Sequence, residues 1–175
     1  MANPYAPPQA AVSDVPAASA GPKGIGGWMI LPVIGLFVFP LRVLWSLAAQ
    51  YWPIFRDGIW ANLTTPGSAS YHVLWGPLLV YEIAFNIAFL LFDLALLVFL
   101  FRKSPRFPKL FVAFALLNVF FVVTDGIVGY QIPAVAASGM ETIAGEIGRA
   151  LALACIWAPY FLVSQRVKNT FVEKE

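Results

Sequence analysis

Residues 73–101 read VLWGPLLVYEIAFNIAFLLFDLALLVFLF, and the length and apolarity of this stretch decide the fold. A helix rises 1.5 Å per residue, so roughly 28 residues run ~42 Å, more than the ~30 Å hydrocarbon core of a bilayer. Such a helix crosses with tilt or projects beyond the hydrocarbon. Only Glu82 and Asp93 carry charge within it. Comparable stretches lie at about 28–51, 110–131 and 142–165.

The whole chain agrees with that reading. It has 175 residues, 60% of them hydrophobic and 11% charged, whereas about a quarter of residues are charged in ordinary soluble domains. The expectation is an all-α membrane protein, a four-transmembrane-helix bundle. Lys and Arg flank the spans unevenly. Lys23 precedes the first, Arg102, Lys103, Arg106 and Lys109 separate the second from the third, and Arg166, Lys168 and Lys174 follow the fourth. Between the other spans the only such residue is Arg56. By the positive-inside rule the N-terminus and C-terminus are both cytoplasmic. A net charge of +2 indicates no nucleic-acid partner. The partners expected are the lipid bilayer and a homo-oligomer or other membrane protein.

Residues 1–22 (MANPYAPPQAAVSDVPAASAGP) hold too little bulky apolar surface to pack and are expected to form a disordered Pro/Ala-rich cytoplasmic tail. Residues 23–172 then form the transmembrane domain. Pro40 is expected to kink the first helix. In the connection at 52–72, Phe55, Ile59, Trp60 and Leu63 follow a helical spacing that predicts a short amphipathic helix on the membrane face. Gly145, Gly148 and Ala152 predict a face on the fourth helix for close packing against another span. Cys155, the only cysteine, is expected to be a small buried residue and can form no intrachain disulfide. His72 has no second His or Cys nearby and reads as an interfacial hydrogen-bonding residue, not a metal ligand. No metal and no cofactor are expected.

What interrupts the spans is more informative. Arg42, Glu82, Asp93, Asp125, Glu146 and Arg149 are ionisable, and each would cost ~2.5–3.5 kcal/mol facing lipid at mid-membrane. Counting 1.5 Å per residue from the basic flanks puts Arg42, Asn86, Asp125 and Arg149 at ~22–25 Å, and Glu82 and Glu146 at ~30 Å. These six form a candidate buried polar or ligand layer to which every span contributes. Asp93 and Asn118 both come out near ~13 Å and form an inner polar pair. At ~100° per residue, Glu82, Asn86 and Asp93 share one face of the second helix, and Asn118 and Asp125 share one face of the third. The outer layer holds Glu82, Asp125 and Glu146 against Arg42 and Arg149, a surplus of one carboxylate.

Two terminal segments carry a family likeness. One is Gly24-Ile25-Gly26-Gly27-Trp28-Met29-Ile30-Leu31-Pro32-Val33-Ile34-Gly35. The other is Trp157-Ala158-Pro159-Tyr160-Phe161 with Ser164-Gln165-Arg166-Val167-Lys168-Asn169-Thr170-Phe171, and Tyr81-Glu82 lies between them. Together they resemble a bacterial membrane family catalogued as domain of unknown function 2569, over about residues 23–172. The resemblance implies a four-helix protein of the bacterial inner (cytoplasmic) membrane and carries over no catalytic residue. The Pro159-Tyr160 step is expected to loosen the end of the fourth helix.

Three functions compete. A non-enzymatic accessory or interaction component leads, because there is no catalytic constellation and no sizeable soluble domain. The alternative is an oligomeric small transporter or channel that uses the charged layer as a cation or proton site. An enzyme acting on lipid headgroups would need an acid/base pair, for which Glu82 with His72 is the one candidate.

Overall fold

The computed structural model describes residues 21–172, so all but the last two residues of the expected tail lie outside the described residues. Every regular element among the described residues is helical. The helices are α1 (Ile30–Ser46), α2 (Trp52–Arg56), α3 (Ile59–Thr64), α4 (Trp75–Phe101), α5 (Phe107–Gly129), α6 (Pro133–Ala136), α7 (Met140–Val163) and α8 (Gln165–Thr170). A 3-10 turn at Gly27–Met29 leads into α1, and a π-helical turn at Leu47–Tyr51 joins α1 to α2. Four helical runs are long and apolar enough to cross a membrane: Gly27–Arg56, Trp75–Phe101, Phe107–Gly129 and Met140–Val163. Their outward faces expose Leu41, Trp45, Leu91, Ile127 and Val163, as lipid-facing helices do.

Local chemistry sets the boundaries. Prolines open α2, α5 and α6, where a missing N–H costs nothing. The second span ends in a Schellman motif. The amide of Lys103, at φ +47°, donates to the Leu100 carbonyl, and the Ser104 amide donates to that of Phe99, both at 3.0 Å. Gly139 adopts φ +93° just before α7, a region open to glycine because it lacks a Cβ.

Several expectations are corrected here. The amphipathic segment after the first span is two short helices, because Gly58 turns to φ +72° between α2 and α3. Its apolar face survives the break, since Phe55 and Trp60 stack at 5.4 Å. Pro40 and Pro159 stand inside α1 and α7, a π turn follows α1 at Leu47–Tyr51, and α7 ends at Val163, four residues after Pro159, with Ser164 extended at ψ 125°. Cys155 is exposed. Gly148 and Ala152 are exposed too, and no atom lies within 4 Å of where a Gly148 side chain would begin. The buried small residues of α7 are Ala150 and Ala154, and the close approach to α5 is at Gly126, beneath Ile143 and Ile147.

The bundle is tight at the end bearing the basic loop and hollow toward the other. Met29, Leu96, Leu100, Phe107, Phe111 and Phe161 meet in one buried cluster with Val167 and Phe171 of the C-terminal segment. Ring contacts hold it, with centroids 4.2 Å apart for Phe111–Phe161 and 4.7 Å for Phe107–Phe171. The two terminal motifs also touch. The Gly24 amide donates to Thr170 Oγ1 at 2.9 Å, and the Arg166 guanidinium lies over Gly26 and Gly27. Span one packs on span two, two on three, and three on four. Spans one and four share no comparable packing and instead face each other across a cleft.

Candidate functional site

That cleft has two chambers. The first, of about 400 Å³, is polar and is walled by Arg42, Glu82, Asn86, Asp125, Glu146 and Arg149. All six residues of the layer read from the sequence therefore border one cavity. The second, of about 420 Å³, is mostly apolar and includes Leu31, Phe111, Phe114, Trp157 and Asp93. Phe39, Arg42, Asn118, Ala150 and Leu153 border both chambers, so the two adjoin along the cleft.

The polar chamber differs from a buried layer of ion pairs. Arg42 is exposed and makes no ion pair among the described residues. Arg149 approaches Glu146 only to 4.0 Å, and their side chains are 73% and 54% exposed. These three residues stand on the open side of the cleft. Glu82, Asn86 and Asp125 are half-buried on the opposite wall, formed by α4 and α5.

Glu82 organises that wall. Its Oε2 accepts a hydrogen bond of 2.8 Å from the Tyr51 hydroxyl, and Asn86 Nδ2 donates to the Glu82 carbonyl at 2.9 Å. Asp125 borders the same chamber from α5. Asp125 Oδ1 is buried without a partner. Tyr81 and Thr124, each one residue before these carboxyls, share a hydrogen bond that ties α4 to α5.

Tyr51 has no signal in the sequence. On an unbroken α-helix it stands nine residues after Arg42, about 180° round the axis. The π turn at Leu47–Tyr51 advances less per residue and brings the hydroxyl back into the cleft. Single π turns of this kind concentrate at functional sites.

Asp93 and Asn118, the expected inner pair, both border the apolar chamber but are not bonded to each other. Asp93 is fully buried, and neither carboxyl oxygen has a partner. His72 lies outside the site. Its Nδ1 accepts from the Leu74 amide at 3.3 Å, and its own amide donates to the Leu63 carbonyl. Among the described residues no three His, Cys, Asp or Glu side chains converge closely enough to hold a metal ion.

Four membrane-length helices enclosing a charged cleft define a multi-pass membrane protein. More narrowly, the chain belongs to the family described as protein of unknown function DUF2569, which matches it over residues 22–172. No curated protein and no solved structure matches it.

Proposed function

We propose that this protein is a non-enzymatic accessory component of the bacterial inner membrane, and that the cleft between its first and fourth spans is its interaction element. The basic residues at Lys23, in the 102–109 loop and at Arg166 and Lys168 support a cytoplasmic side for both termini. The polar chamber then opens toward the outer leaflet. The observation that carries the reading is that charged side chains from all four spans border one open cavity, where the ion pair found among the described residues is the loose, exposed Glu146–Arg149 contact at 4.0 Å. Charges held at that depth are costly, and a bound partner or ligand offsets the cost.

A catalytic role has less support. Glu82 bonds to Tyr51 and faces Asp125, while His72 is engaged at the chain's own turn, so the one candidate acid/base pair is not assembled. Isolation from native membranes in a mild detergent tests the reading. A defined partner or a homo-oligomer is expected, and a strictly monomeric protein that carries nothing overturns it.

The second reading is a proton or cation path within an oligomer. It draws on the Glu82 and Asp125 carboxyls bordering one chamber and on the second chamber adjoining it at Arg42 and Asn118. Flux in proteoliposomes decides between the two. A transport role requires a flux that Glu82→Gln or Asp125→Asn abolishes.

A further inference from the structure

We propose that the cleft is a lipid site, one that takes a membrane amphiphile with a zwitterionic head, an anionic phosphate and an ammonium, and a single chain lying in the apolar chamber. The inference rests on the cleft being the interaction element and names what occupies it.

Three observations lead there. Beyond the packed basic end the cleft is open, since spans one and four do not pack on each other as the remaining neighbours do. In a bilayer such a lateral gap is filled by lipid or by protein. Its polarity is graded, from a charged chamber at one end to one lined by Leu31, Phe111, Phe114 and Trp157 at the other. Along span one the apolar chamber reaches from Leu31 to Arg42, about 17 Å at 1.5 Å per residue, which suits an extended hydrocarbon chain. Asp93 borders this chamber but exposes none of its surface, so the face offered to a chain is apolar.

The third observation selects the head. The polar chamber holds charges of both signs that are at most loosely paired. Arg42 is unpaired among the described residues, and Arg149 reaches Glu146 only at 4.0 Å. Two guanidiniums matched to a phosphate give strong, directional hydrogen bonds. Glu82, Asp125 and Glu146 offer acceptors to an ammonium, which has three donors and no acceptor. A purely anionic head would leave the carboxyls unmet, and a purely cationic one would leave the guanidiniums unmet. A head carrying both satisfies the chamber, whereas a second protein helix would have to bring both charges on one face.

The test uses the full chain in a neutral maltoside detergent. It is challenged with four single-chain amphiphiles of equal chain length whose heads are phosphoethanolamine, phosphoglycerol, trimethylammonium and maltoside. Native mass spectrometry reads retention, and thermal unfolding reads stabilisation. The expected result is a one-to-one adduct that favours phosphoethanolamine. Arg42→Gln weakens retention about tenfold, the loss of one charge-assisted hydrogen bond, and Asp125→Asn shifts preference toward the phosphoglycerol head. Leu153→Trp narrows the junction of the chambers from an exposed position without touching a charge, and it abolishes the adduct while the protein stays folded by circular dichroism. Equal retention of all four heads overturns the proposal, as does a preference that Arg42→Gln and Asp125→Asn leave unchanged. If no protein partner is found while the lipid preference holds, the accessory reading fails and the lipid site stands.

Discussion

Tyr51 donates its hydroxyl to Glu82 across the gap between the first and second spans, at 2.8 Å. This bond sets the carboxyl's orientation before any ligand arrives, while Asn86 bonds the Glu82 backbone carbonyl one turn below. It also anchors the π turn that turns Tyr51 inward.

Tyr51→Phe keeps the ring and removes the donor. It is expected to destabilise the protein by about 1 kcal/mol, the scale of interhelical hydrogen bonds in membranes. Combined with Glu82→Leu, which removes the acceptor, the losses should be less than additive, because each single variant already removes the same bond. Unfolding in mixed micelles measures the cycle. Strict additivity would mean that the bond contributes nothing.

Asp93 offers a prediction of the opposite sign. Both of its oxygens are buried without partners, and the adjoining chamber leaves room for extra methyl groups. Asp93→Leu should therefore stabilise the fold, by about 1–3 kcal/mol, because it relieves the desolvation of an unsatisfied polar group. A loss of stability in the same assay would mean that the carboxyl is satisfied in the membrane.

Glycines at two positions should respond in opposite directions. A Cβ at Gly126 would meet Ile143 Cγ2 at 2.7 Å, so Gly126→Ala should cost about 1–3 kcal/mol through overpacking of spans three and four. Gly148 faces open space, and Gly148→Ala should gain up to about 1 kcal/mol from helix propensity alone. Equal effects at both sites would contradict the packing of α7 on α5 described above.

Thr170 links the two ends of the domain. It accepts from the Gly24 amide at 2.9 Å and donates to the Arg166 carbonyl at 2.6 Å, with 1% of its surface exposed. Thr170→Val has nearly the same shape and removes both bonds, for an expected cost of about 1–2 kcal/mol. Amide exchange should rise at Gly24 if the contact holds the N-terminal glycines in place.

The four spans were legible because lipid leaves the backbone no hydrogen-bond partner but itself, so a long apolar run has to be helical. Length and composition are local properties, and the run at 75–101 shows both plainly. The membership of the charged layer was legible for a related reason. Arg42, Glu82, Asp125, Glu146 and Arg149 stand out against an apolar background, and a fixed rise per residue converts position into depth. The break at Gly58 was harder to read, since a single positive φ interrupted an otherwise helical spacing.

What the sequence could not supply was which faces meet. In water an apolar stripe marks the inside of a helix, but lipid tails are as apolar as leucine, so periodicity does not separate packed from lipid-facing positions. Gly148 and Ala152 therefore looked like a packing face and are exposed, while Ala150 and Ala154 are buried. The same ambiguity hid the cleft between spans one and four and the inward turn of Tyr51. Sequence alone determined the number of spans, because that follows from hydration cost residue by residue. Only tertiary structure decided that their charges border an open cleft and that Asp93 stands without a partner, because both depend on how helices with nearly uniform apolar surfaces fit together.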